Sequence, residues 1–136
     1  MSDRDAVLFA NEAFYRAFAD RDLRAMAEVW SERAAVVCIH PGWPPVQGRE
    51  AVLHSWQGIL GNPDSPAISC LAAEAYINGE MAFVVCYEEI QGQYLIATNV
   101  FVREGGPWRM VHHQAGPTSG TPPDDGDEGE VRTRVN

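Results

Sequence analysis

Apolar positions along the chain change period once, from helical to extended. Val7, Leu8, Ala10, Phe14, Ala17 and Phe18 recur at three- and four-residue steps. Behind a Ser2-Asp3 start, that spacing predicts an amphipathic helix to about Ala19. Asp20-Arg21-Asp22 breaks it, and Asp22 is placed to cap a second helix carrying Leu23, Met26, Ala27 and Trp30 on one face. A short apolar strand, Ala34–Ile39, then leaves on His40 into a Pro/Gly-rich turn. A third helix is predicted from about Arg49 to Leu60, with Val52, Leu53, Trp56, Ile59 and Leu60 on its apolar side.

Gly61-Asn62-Pro63-Asp64-Ser65-Pro66 stops that helix, and the pattern becomes extended. Ala67–Ile77, Met81–Ile90, Gln93–Arg103 and Trp108–Ala115 read as strands. Asn78-Gly79 and Gln91-Gly92 are hairpin turns between them, and Glu104-Gly105-Gly106-Pro107 is a further turn. Helices followed by an antiparallel meander give an α+β plan with the helices on one face. Residues 1–117 form one domain, and the acidic stretch 118–136, almost free of apolar side chains, is expected to be a disordered tail.

The 136 residues and 46% apolar content suit a single globular domain with a real core. A net charge of −9 argues against nucleic acid, which demands clustered Lys and Arg. No apolar run reaches the length of a membrane span, and the N-terminus has no signal-peptide pattern, so a cytoplasmic location and no membrane partner are expected. Cys38, Cys70 and Cys86 sit in apolar runs without zinc spacing and read as buried reduced thiols. No metal or cofactor is expected.

The stretch Ala34–Trp56, AAVVCIHPGWPPVQGREAVLHSW, concentrates the candidate chemistry. It holds two of the four tryptophans and two of the four histidines, and a strand leaving the core on a histidine beside a Trp-bearing loop makes a pocket mouth. Together with FYRAFADRDLRAMAEVW and the closing WRMVHHQAG, it resembles the SnoaL-like branch of the nuclear transport factor two-like superfamily, over about residues 5 to 117. The resemblance implies a cone: a strongly curved antiparallel or mixed sheet wrapped around a pocket and closed by the three helices. Members include ketosteroid isomerase, polyketide cyclases, limonene epoxide hydrolase, scytalone dehydratase and catalytically silent association domains, so the fold leaves function open.

Laid on this chain, the steroid isomerase tyrosine falls at Phe14, its general-base aspartate at His40 and its oxyanion-hole aspartate at Asn99. All three depart from that pattern. Phe14 cannot donate a hydrogen bond, and neighbouring Tyr15 takes that role only with a slip of register; His40 keeps the capacity of a base; Asn99 donates without titrating. Steroid-type isomerisation is disfavoured, and other acid-base reactions stay open.

With Asn99 facing the cavity, alternation puts Leu95, Ala97 and Phe101 inside and Tyr94, Ile96, Thr98, Val100 and Val102 outside. That apolar outer face predicts a homodimer through the sheet. The same overlay turns Trp108, Met110, His112 and Gln114 inward. His40 and His112 are then the catalytic candidates, with Trp43, Trp56, Asn99, Gln114, Phe14 and Tyr15 around a small organic ligand. Trp43, in the loop, is the better gate residue, and Trp56, on the third helix's stripe, is more often core. Glu88 and Glu89 alternate, which leaves one of them either to face inward as an acid with raised pKa or to sit at the exposed strand end. The alternative is that these polar groups only satisfy one another or loop backbone in a partly polar interior. Whether the chain is an enzyme, by cofactor-free isomerisation, cyclisation, dehydration or hydrolysis, or a non-catalytic binding or association module is left open.

Overall fold

A computed structural model describes residues 1–123; the rest of the expected tail, 124–136, lies outside the described residues. Helices α1 (Asp3–Ala19) and α2 (Leu23–Val29) form the predicted hairpin. Ser2 caps α1 by accepting from Asp5 N at 3.1 Å, and Asp22 caps α2 by accepting from Ala25 N at 3.1 Å. Strand β1 covers only Val37–Ile39, and a two-residue strand β2 (Val46–Gln47) precedes α3 (Arg49–Gly61). The meander is β3 (Ser69–Asn78), β4 (Met81–Ile90), β5 (Gln93–Arg103) and β6 (Trp108–Pro117).

One six-stranded sheet results, in the order β2-β1-β6-β5-β4-β3. Neighbours are antiparallel except β1 and β6, which run parallel with Val37 beside His112 and Ile39 beside Gln114. The sheet is therefore mixed, curled and unclosed, an α+β cone with its helices against the inner face. Trp30, expected on the second helix, instead leaves it and makes an isolated parallel bridge to Met110. The reason is tertiary: its fully buried indole lies under the sheet rather than on the helical stripe. No described helix is long and apolar enough to cross a membrane.

The core joins α1 (Val7, Phe14, Ala17), α2 (Met26, Val29), α3 (Val52, Trp56, Leu60) and the inward rows of the strands. On β4 the row is Ala82, Val84, Cys86 and Glu88; on β5 it is Ala97, Asn99 and Phe101. β6 breaks the simple alternation. Val100 pairs with His112 but Phe101 with Met110, so Val111 is an extra, bulged residue. A bulge transfers the following side chains to the other face. Trp108 and Met110 therefore point inward before it, and His113 and Ala115 after it.

Arg49 ties the turn after α2 to the start of α3. Its guanidinium donates to the carbonyls of Ala27 (2.9 Å), Trp30 (2.7 Å) and Ser31 (3.3 Å). These acceptors at a helix exit have few other donors. Arg49→Met is expected to lower stability by about 1–3 kcal/mol. Arg16→Met removes only an exposed i,i+4 pair with Glu12 and should shift it little. Urea unfolding of both variants checks the contrast.

Candidate functional site

Three residues of α1 spaced by one helical turn, Asn11, Phe14 and Tyr15, share the face that meets the sheet. Opposite them lie Cys86 and Glu88 of β4, Asn99 of β5 and His113 of β6. The polar members form one connected cluster. Asn99 Nδ2 donates to Asn11 Oδ1 at 2.8 Å and to Tyr15 Oη at 3.2 Å. Asn99 Oδ1 accepts from His113 Nδ1 at 2.6 Å, which leaves His113 Nε2 with its lone pair, 4.0 Å from Glu88 Oε2. Tyr15 Oη donates to Glu88 Oε2 at 2.6 Å. Asn11, Glu88, Asn99 and His113 are at most 3% exposed, so the cluster is closed to solvent.

His40 stands at the end of β1, on the far side of Trp56, with ring centroids 4.8 Å apart; His113 faces the same indole at 6.2 Å. Half-exposed Trp43 lies across His40, at 4.7 Å between centroids. Ser55 Oγ spends its proton on Val52 O (2.7 Å), so it accepts from His40 Nε2 at 2.9 Å. That contact fixes the Nε2–H tautomer and leaves the Nδ1 lone pair as the basic position.

Burial governs the charge states. It lowers the His40 pKa to about 4 and, with His40 and His112 nearby, that of His113 to about 3. Both imidazoles are neutral at pH 7. Burial also raises the Glu88 carboxyl, against the opposing hydrogen bond from Tyr15. The Tyr15 phenol is pushed well up by burial, then by Glu88 and Cys86. The centre thus holds two imidazole lone pairs and two weak acids, walled by Phe14, Trp56 and Trp43.

Of the expected residues, the structure brings together His40, Trp43 and Trp56 at the end of β1, and Phe14, Tyr15 and Asn99 in the interior. His112 and Gln114 are not among them. Gln114 is exposed, and His112 is half-buried on the other face with Nδ1 2.9 Å from Val37 O. The expected inward turn of that row is corrected by the Val111 bulge, which brings in His113 instead. Sequence reasoning also passed over Asn11 and Ser55 and left Glu88 undecided. Signals existed for two of them: Asn11 is four residues after Val7 and three before Phe14 on the apolar stripe, and Glu88 continues the inward row from Cys86. A groove of about 400 Å³ lies elsewhere, bordered by Ala10, Ala13, Ala25 and Trp108 near exposed Phe9, and does not touch the cluster.

The sequence profile of the SnoaL-like domain matches residues 7–118. The chain belongs to the SnoaL-like domain family. A solved NTF2-like protein from Streptomyces avermitilis, named for a proposed dehydratase activity, is 30% identical, with a TM-score of 0.78 over 87% of this chain and 97% of its own. Another, from Thiobacillus denitrificans and named as a proposed association domain of calcium/calmodulin-dependent protein kinase type II, is 32% identical, with a TM-score of 0.72 over 81% and 93%. F-box protein SKIP8 of Arabidopsis thaliana is 31% identical over 112 residues, 81% of this chain and 48% of that protein. The chain thus spans about half the length of the curated relative it matches. SnoaL-like membership fixes the cone, while these relatives carry names of different kinds.

The two histidines set a pH dependence of stability for this SnoaL-like cone. Their folded-state pKa values lie below the ordinary 6.5, so below that pH the unfolded chain takes up protons that the folded chain refuses. Stability is complete above about pH 6.5 and falls as the pH drops toward 4, by up to roughly 1.4 kcal/mol per pH unit per histidine. Glu88, raised in the fold, acts oppositely: its contribution is present below the ordinary carboxylate pKa and declines as the pH rises past it. Urea midpoints between pH 4 and 8 should fall on the acid side. His113→Gln, which can still donate to Asn99, should flatten that fall by about one proton's slope.

Proposed function

We propose that this SnoaL-like protein is a cofactor-free acid-base enzyme acting on a small, largely apolar organic molecule. The observation that carries the reading is His40: a neutral imidazole whose basic Nδ1 meets only the weak donor Cys38 Sγ at 3.9 Å, held by Ser55 between an exposed and a buried tryptophan. Trp43 and Trp56 offer flat apolar surface to a ligand, and His40 takes a proton from it. Past Trp56, Tyr15 and Glu88 are the weak acids that return a proton or hold a developing oxyanion, with Asn99 and His113 orienting them. Isomerisation, cyclisation, dehydration and hydrolysis all consist of such proton transfers. Dehydration is additionally favoured by the name of the Streptomyces relative. With three free thiols, the chain suits a reducing cytoplasm.

A second reading, an association module, has its own observation. The outer face of the meander carries stacked Tyr76 and Phe83 (4.9 Å), Tyr87 against Tyr94 (6.4 Å), and half-exposed Met81. In this proposal two copies cover that face as a homodimer, in line with the association-domain name of the Thiobacillus relative. Both readings accommodate the dimer; they differ over the interior.

Wild type and His40→Ala, each checked for fold and mass in solution, are incubated with a metabolite extract and followed by mass spectrometry. Under the enzyme reading wild type consumes at least one species, and His40→Ala does so at least about 100-fold more slowly while remaining dimeric. Val100→Glu on the outer face should give monomers. An extract left unchanged by wild type, with function lost only in Val100→Glu, would sink the catalytic reading in favour of the association module.

A further inference from the structure

Cys70 on β3 and Cys86 on β4 come together at an irregularity of the sheet. Cys70 pairs with Glu88, two residues along from Cys86, and β3 carries one extra residue between Leu71 and Glu74 opposite Cys86. Ala72, in that bulge, has a positive φ of 56°, unusual for a residue with a side chain. Both thiols point to the core side, as diagonal neighbours across the bulge. The surrounding polar groups hold them there. Asn11 Nδ2 lies 3.7 Å from Cys70 Sγ, and Tyr15 Oη lies 3.3 Å from Cys86 Sγ. The contact from Cys70, followed by those from Tyr15 and Asn11, lowers the Cys86 pKa against the opposing effect of burial. Cys70 is raised in exchange and is the more exposed of the two.

We propose that Cys70 and Cys86 are an oxidisable dithiol, a modification site that hydrogen peroxide converts to an intramolecular disulfide. The Cys86 thiolate attacks one peroxide oxygen; the S–O bond forms, the O–O bond breaks, and hydroxide leaves as water with the proton Cys86 gave up. Cys70 sulfur then attacks the sulfenic sulfur. The S–S bond forms, the S–O bond breaks, and the second oxygen leaves as water with the Cys70 proton. Two thiols are oxidised and one peroxide is reduced to two waters. Partly exposed Cys70 is the side from which peroxide enters. Diagonal neighbours on paired strands stand wider apart than the usual disulfide span, so closure draws in the bulged segment of β3, and the strained bond is readily reduced. Oxidation also removes the thiol that meets Tyr15, which carries the change into the polar cluster. The chemistry holds whether or not the cluster catalyses a reaction.

The reduced full-length protein is treated with hydrogen peroxide, alkylated under denaturing conditions and weighed intact. Alkylatable thiols should fall from three to one, the unalkylated mass should fall by two hydrogens, and dithiothreitol should reverse both. Peptide mapping without reduction should join Cys70 to Cys86 and leave Cys38 alkylated. Cys70→Ser should form no disulfide and instead expose a Cys86 sulfenic acid to dimedone, while Cys38→Ser behaves as wild type. The proposal is overturned if wild type keeps three alkylatable thiols, gains oxygen without cross-linking, or links through Cys38. The wild-type measurement decides even where a serine variant fails to fold.

Discussion

The side-chain amide of Asn99 is the constraint around which the interior is arranged. At zero exposure in the middle of β5, it has water available at neither end, and a buried amide without partners is destabilising by about 1–3 kcal/mol per lost bond. His113 satisfies its oxygen, and Asn11 and Tyr15 satisfy its nitrogen. Those bonds lock α1 to β5 and β6 in one translation and one rotation. The second hydrogen bond of Tyr15, to Glu88, extends the lock to β4. Apolar burial of Val7, Phe14 and Ala17 drives the helix onto the sheet but tolerates sliding; the amide network does not.

Much of this was legible in the chain because it follows local periods. The three-and-four spacing of α1 turns Phe14 inward, with Tyr15 off the stripe it marks, and the alternation of β5 places Asn99 with Ala97 and Phe101. His113 was not legible. Val111, His112 and His113 contain neither glycine nor proline, so nothing local marks the extra residue, and only pairing with β5 reveals it. Strand β2 and the parallel seat of β1 were hidden for a related reason. Two- and three-residue strands have no period of their own and exist through a partner distant in sequence. Glu88 was a conflict between two rules. Alternation turned it inward, the rarity of buried carboxylates turned it outward, and a phenol on another element decided the outcome.

The two faces of the meander carry different chemistry because a strand separates its side chains by alternation. Cys86 and Glu88 belong to the closed interior, while Phe83 and Tyr87 on the same strand belong to the aromatic outer surface. The aromatic row and the polar row are therefore interleaved along one backbone and face opposite ways. This separation suits a SnoaL-like cone whose relatives bear the names of both a catalyst and an association domain.

The parallel seam between β1 and β6 has a dynamic consequence. Val37 meets His112 only after a long loop closes, an entropic cost that the hairpins of the meander do not share. The β1–β2 pair is also the short, lightly tethered end of the sheet, held by few ladder positions. Seating it is therefore the costly step of assembling the sheet, whereas the meander closes between neighbours in sequence. His40 and Trp43 ride on that end. In the proposed enzyme the base thus rides on the strand whose closure costs most, while the interior polar groups stay sealed behind Trp56.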